Sequence, residues 1–124
     1  MKPPIFIVVA SNGDLLAFDS VAHAERYVES IDVEKGEYVQ AFDSEGRLLA
    51  LEVERPTVRH NFLGLESIEL TPVHLVERES DPTHSMDLMS TLLGALARVG
   101  QPSERAKATL GELVEDAFRN FRVR

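Results

Sequence analysis

The strongest fold signal in this sequence is a tight β-hairpin near its start. Residues 5–10 form an apolar, largely β-branched run, Asn12 and Gly13 follow, and residues 15–18 are apolar again. Asn-Gly is a strong signal for a tight turn between antiparallel strands. The first strand carries no polar side chain on either face, which predicts a central position covered on both sides.

A second hairpin follows, with Tyr38–Phe42 and residues 47–53 on either side of a polar turn. Apolar and polar side chains alternate along residues 49–54, so one face should lie in the core and the other in water. Residues 57–80 have weaker periodicity and predict one more strand, which Pro72 restricts to a sheet edge. The pattern therefore predicts an antiparallel sheet of about five strands, made of two hairpins plus an irregular edge strand.

One helix is predicted after the first hairpin. Asp19 and Ser20 offer capping oxygens, and apolar residues then recur every three or four positions from Val21 to Ile31. This helix should end near Asp32.

Two more helices are predicted at the C-terminal end of the sequence. Asp81 before Pro82 is typical of a helix start, and Gly100 is typical of a helix end. Pro102 and Ser103 open the last helical pattern, and the short link predicts a helical hairpin packed on the sheet. The fold class is α+β, in one domain spanning residues 1–124, with a ββαββ unit plus edge strand in 1–80 and the helical hairpin in 81–124.

Charge and composition restrict the partners. The chain of 124 residues has 21 acidic and 13 basic residues, a formal net charge of -8 and no cysteine. Such a surface repels phosphate backbones, so nucleic acid is not expected as a partner. The apolar run at residues 5–10 is too short for a signal peptide or a membrane span, and we expect a cytoplasmic protein with no membrane partner.

No pattern of catalytic or metal-binding residues occurs in the sequence. The four histidines are scattered without the spacing of a metal site, and the glycines are too dispersed for a phosphate-binding loop. We therefore predict no catalytic residue, no metal and no cofactor. A non-enzymatic protein-binding domain is the leading hypothesis.

Two polar groups are candidates for binding. An acidic set runs from the first helix into the following loop and could steer a basic protein partner, although a solvated helix face has the same composition; the set comprises Glu25, Glu29, Asp32, Glu34 and Glu37. The alternative is a small-molecule-binding or enzymatic domain, as a monomer or a dimer, with a pocket lined by Arg55, Arg59 and His60.

The C-terminal helices carry more apolar residues than a narrow helix–helix seam requires, Met86 and Met89 among them. They either cover the sheet and each other or pair with a second copy of the chain. The second reading predicts a homodimer through these helices.

The first half of the chain resembles small uncharacterised bacterial proteins of the toxin–immunity type. The resemblance rests on turn, cap and strand residues, which are Phe18 to Val21, Ala24 to Tyr27, Ile31 to Val33, Gly36 to Tyr38 and Asp43 to Leu49. It implies a domain that binds a toxin and masks it, and it carries no functional motif. With the charge of -8, the toxin is expected to be basic.

Overall fold

The computed structural model describes residues 1–100 and 108–124. Seven strands and four helices lie within these residues. The strands are β1 (Ile5–Val9), β2 (Leu15–Phe18), β3 (Tyr38–Phe42), β4 (Leu48–Val53), β5 (Val58–Phe62), β6 (Leu65–Glu69) and β7 (Val73–Glu77). The helices are α1 (Val21–Tyr27), α2 (Ser30–Glu34), α3 (Ser85–Arg98) and α4 (Leu110–Phe121).

Five strands form one antiparallel sheet in the order β2-β1-β3-β4-β7, and β5 pairs only with β6. The α+β class, the five-stranded sheet, its two hairpins and the C-terminal helix pair are confirmed. The strand β1 lies between two others, and Ile5, Phe6 and Ile7 are fully buried. This placement explains why its sequence does not alternate.

Helices cover both faces of the five-stranded sheet. On one face, Phe6 and Phe42 pack against α3 and α4 through residues such as Leu92 and Leu113. On the other face, Ile7 and its neighbours pack against α1 and Val28. Leu88 and Leu92 are fully buried, so much of the apolar surplus of α3 belongs to the core.

The prediction of a single helix from Val21 to Asp32 is wrong. The helix α1 ends at Tyr27, Val28 is extended and buried, and α2 begins at Ser30. The break sends the Val28 side chain into the core, and it turns the Ser30 hydroxyl inward, where it has polar partners. Because the helical periodicity of apolar residues continues across the break, the sequence pattern does not predict the break.

The prediction of one strand in residues 57–80 is incomplete. The strand β7 begins immediately after Pro72 and forms the expected sheet edge, paired with β4. Residues 58–69 form an additional hairpin, β5–β6, which belongs to a separate two-stranded sheet. We call this hairpin the ribbon.

The predicted start of α3 at Asp81 and Pro82 is also wrong, because the helix begins at Ser85 with His84 as its cap residue. The preceding loop is held by Glu79, which accepts hydrogen bonds from the Thr83 amide (3.0 Å) and hydroxyl (2.6 Å). Gly100, at φ 76°, follows the end of α3 as expected. The predicted start of the last helix at Pro102 lies outside the described residues, and α4 as described has Thr109 as its cap residue.

Both edges of the five-stranded sheet are engaged by other parts of the chain. At the β2 edge, the amide of Val123 donates to the carbonyl of Ala17 at 2.8 Å. At the β7 edge, the amide of Leu75 donates to Oε2 of Glu25 at 2.7 Å. Engaged edges of this kind limit strand addition by other chains.

Candidate protein-docking ribbon

The ribbon is the part of the described structure that packs least. Every residue from 58 to 70 is exposed, and β5 and β6 pair only with each other. The register places Phe62 opposite Leu65, and Val58 opposite Glu69, on the same face of the pair. An isolated two-stranded hairpin is marginally stable in water, so this one needs support from elsewhere.

Large apolar side chains concentrate at the tip of the ribbon. Phe62 is 73% exposed, Leu63 86% and Leu65 76%. Val58 adds exposed apolar area on the face of Phe62 and Leu65, and Ile68 and Leu70 add it on the opposite face. Clustered exposed apolar side chains favour an interaction site, because their contact with water is unfavourable.

The turn of the ribbon is strained. Leu63 and Gly64 form the two-residue connection, with φ of 51° and 78°. Glycine adopts this region freely, whereas a leucine there costs about 1–2 kcal/mol. Strained residues cluster at functional sites, and this one carries the most exposed of the large apolar side chains.

A group of hydroxyls holds the root of the ribbon, and we call it the clasp: Ser30, Thr57 and Thr71. The Oγ atom of the fully buried Ser30 lies 2.7 Å from the Thr57 hydroxyl and accepts from the Thr71 amide at 3.2 Å. The Thr71 hydroxyl donates to the carbonyl of Arg55. The clasp fixes both ends of the ribbon to α2, so an exposed arm projects from a rigid base.

The two strands of the ribbon carry opposite charges. Arg59 and His60 lie on β5, and Glu66 and Glu69 lie on β6. They pair diagonally at 3.5 Å for Arg59 with Glu66 and 3.4 Å for His60 with Glu69. Exposed pairs of this kind contribute little to stability, so a partner can replace them at small cost.

The structure does not bring the predicted pocket residues together. Arg59 and His60 are successive residues of β5, and their side chains therefore lie on opposite faces of the ribbon. Arg55 lies at the root, outside the strand, and is exposed. A concave site lined by all three residues does not form.

The acidic set divides into two groups. Glu25 and Glu34 accept hydrogen bonds from the backbone amides of Leu75 and Thr57, both at 2.7 Å, and thus serve the fold. The charges of the remaining three, Glu29, Asp32 and Glu37, act on Tyr38. Burial of Tyr38, followed by the charge of Asp32 and then those of neighbouring residues including Glu37 and Glu29, raises the pKa of its hydroxyl to about 12.

A histidine–carboxylate pair at the start of α3 has a structural role. The Nδ1 atom of His84 lies 2.9 Å from Oε2 of Glu79. Hydrogen bonds from Thr83, His84 and the Leu48 amide together lower the pKa of Glu79 to about 2. Glu79 therefore closes the loop before α3. Because its oxygens already accept hydrogen bonds from all these groups, it is not positioned to take a proton from a substrate.

The buried carboxylate of Asp43 also has a structural role. Asp43 is fully buried, forms an ion pair with Arg47 and accepts from the amides of Glu45 (3.0 Å) and Arg47 (2.9 Å). It thereby closes the β3–β4 turn. In the described part of the chain, no three His, Asp or Glu side chains are placed to hold a metal ion.

Phe62, Leu63 and Leu65 are not among the binding residues predicted from the sequence. The available signal was two five-residue runs separated by a two-residue turn that ends in Gly64. A leucine in place of the usual Asn or Asp obscured that turn.

Comparison of the chain with protein-family models, curated proteins and solved structures finds no match. Within residues 1–100 and 108–124, no helix has both the length and the apolar character needed to cross a bilayer.

Proposed function

We propose that this protein is a non-enzymatic protein-binding module, that the ribbon is its docking element, and that its partner is basic. The observation that carries the proposal is the exposure of Phe62, Leu63 and Leu65 on an arm whose root is fixed by the clasp. An apolar arm whose root is held in place loses less conformational entropy on binding than a free segment does, which favours affinity.

The shape of the ribbon favours a protein over a small molecule as partner. Small ligands bind in concave sites that bury most of their surface, whereas the ribbon projects and is exposed along residues 58–70. A projecting pair of strands with large apolar side chains fits a groove or a strand edge on another protein.

Two charge features support a basic partner. The chain has a net charge of -8, which attracts a cationic protein over several ångströms and speeds association. The acidic group of Glu29, Asp32 and Glu37 includes a residue of α2, the helix to which the clasp fixes the ribbon. Because α2 has five residues, it is about 8 Å long, so the acidic group is close to the root of the ribbon.

The specific form of the function that we propose is an immunity protein that masks a basic toxin. It is supported by the resemblance of the first half of the chain to toxin–immunity proteins, and by the same charge of -8. Masking requires only a tight contact with the partner and no chemistry on it.

The test is a reconstituted complex. The protein is purified from its native cells at low salt, a stoichiometric partner is identified, and affinities are measured for wild type and for Phe62→Ser with Leu65→Ser. Loss of two exposed apolar anchors should weaken binding at least about a hundredfold. Met86→Ser is the matched control, since Met86 is equally exposed (76%) but lies on α3.

Two results would contradict the proposal. One is an unchanged affinity in the ribbon double variant. The other is purification from the native cells without any stoichiometric basic protein.

A further inference from the structure

We infer that the partner contributes an extended basic segment that adds as an antiparallel strand to the outer edge of β6. This inference rests on the proposed function, and it specifies how the ribbon would recognise its partner. Strand addition supplies affinity through main-chain hydrogen bonds and specificity through the side chains beside the edge.

The turn fixes which backbone groups face outward. A two-residue turn makes Phe62 and Leu65 a hydrogen-bonded pair, and such pairs alternate with non-hydrogen-bonded ones along an antiparallel ladder. His60 with Ser67 is therefore the next bonded pair. On β6, the amides and carbonyls of Glu66 and Ile68 consequently point away from β5, and no other described strand pairs with them.

The ribbon also offers the β5 edge, where Arg59 and Asn61 have the outward backbone groups by the same alternation. The charges separate the two edges. An incoming strand at β6 lies beside Glu66 and Glu69, whereas one at β5 lies beside Arg59 and His60. A basic strand is attracted to the first edge and repelled from the second, and like charges directly opposite each other destabilise strand pairs.

The side chains of β6 predict the sequence of the added strand. Antiparallel to β6, its residues lie opposite Glu69, Ile68, Ser67, Glu66 and Leu65 in that order. Opposite charge and apolar contact at these positions give the pattern basic, apolar, any, basic, apolar from N- to C-terminus. The final apolar residue would lie beside Leu65, on the face that also carries Phe62.

The first measurement uses a synthetic peptide whose core reads Lys-Val-Thr-Lys-Val and follows its binding by calorimetry. We expect saturable binding to the full-length protein that weakens as salt is raised, because the charges are exposed. A peptide with both lysines replaced by glutamate should not bind. Glu66→Gln with Glu69→Gln should weaken the lysine peptide about tenfold.

Backbone variants separate strand addition from side-chain docking. Ile68→Pro removes the outward amide of β6 while leaving its ladder to β5 intact, and should weaken the peptide about tenfold or more. Asn61→Pro is the matched control, because it removes an outward amide from β5 and should leave peptide affinity unchanged. Thermal unfolding of both variants verifies that they fold.

N-methylated peptides give the same distinction from the other side. The amide of the second peptide residue, opposite Ile68, should face β6, whereas the amide of the third, opposite Ser67, should face away. Methylation of the second should abolish binding, and methylation of the third should preserve it.

The outcomes distinguish this inference from the proposed function. If Phe62→Ser with Leu65→Ser weakens the native partner but Ile68→Pro does not, the partner docks on the ribbon without adding a strand, and the inference is wrong. If the lysine peptide binds wild type and Ile68→Pro with the same affinity, the inference is also wrong. If sedimentation shows a dimer of the free protein that Ile68→Pro dissociates, a second copy of this chain occupies the β6 edge, and the inference is again overturned.

Discussion

Thr57 donates both its backbone amide and its hydroxyl to one oxygen of Glu34, Oε1, at 2.7 and 2.8 Å. Glu34 ends α2, and Thr57 directly precedes β5. This double contact and the neighbouring clasp are what connect the ribbon to the rest of the fold. The position of the exposed apolar arm is thus set by a few polar contacts at its root and not by packing along its length.

Glu34→Ala should loosen the root of the ribbon. The variant leaves the Thr57 amide without its acceptor, and we expect a loss of about 1 kcal/mol in unfolding free energy. Amide hydrogen exchange should become faster at residues 58–69 and stay unchanged in α3. Glu115→Ala, an exposed glutamate of α4, is the control; equal exchange rates in the two variants would contradict this role of Glu34.

Leu63→Asn should stabilise the ribbon by relieving its turn. Asparagine tolerates φ of 51° far better than leucine, and the gain should be about 1 kcal/mol. Slower amide exchange in β5 and β6 is the expected readout. Exchange that becomes faster would show that the Leu63 side chain itself supports the turn.

Gly46→Ala should destabilise the protein strongly. Gly46 is buried at φ 88°, and a Cβ there would overlap the Cα of Ser85 at the start of α3. Backbone strain and overpacking together should cost about 2–5 kcal/mol. Gly36→Ala shares a positive φ of 72° but meets no neighbouring atom, so urea unfolding should show a smaller loss, about 1–2 kcal/mol. Equal losses would contradict the contact with α3.

Glu79 should make stability depend on pH. Its pKa is about 2 in the folded protein against an ordinary value of 4.5, so its charged form stabilises the fold. That contribution is fully present above pH 4.5 and is lost as pH falls towards about 2. The melting temperature of Glu79→Gln should lie below that of wild type near neutral pH and approach it in acid. A difference that stays constant with pH would refute the linkage.

The sequence predicted the elements that rest on local chemistry. Gly13, at φ 71°, marked the first turn, Pro72 marked the sheet edge, and Gly100 marked the end of α3. In each case one residue type has a strong backbone preference that the fold uses. The apolar run of β1 likewise predicted correctly that both faces of this strand are covered.

The failures have tertiary causes. The helix break at Val28 depends on the core receiving that side chain and on the buried partners of Ser30. The late start of α3 depends on the Gly46 carbonyl, which accepts from the His84 amide, and on Glu79, which accepts from the distant Leu48 amide as well as from Thr83. Long-range contacts such as these leave no periodic signal in the sequence.

The candidate site was predicted least well. The acidic set was expected to act together, yet Glu25 and Glu34 bind backbone amides, because the middle of β7 and the residue before β5 reach them. The ribbon was not predicted as a hairpin, because Leu63 occupies a turn position where Asn or Asp is usual.

Hydrogen exchange of the protein with and without its purified native partner tests the docking role of the ribbon most directly. We expect binding to slow amide exchange within residues 58–69, most strongly at Glu66 and Ile68, whose backbone groups face outward. Protection confined to α3 and α4, with exchange in the ribbon unchanged, would contradict it.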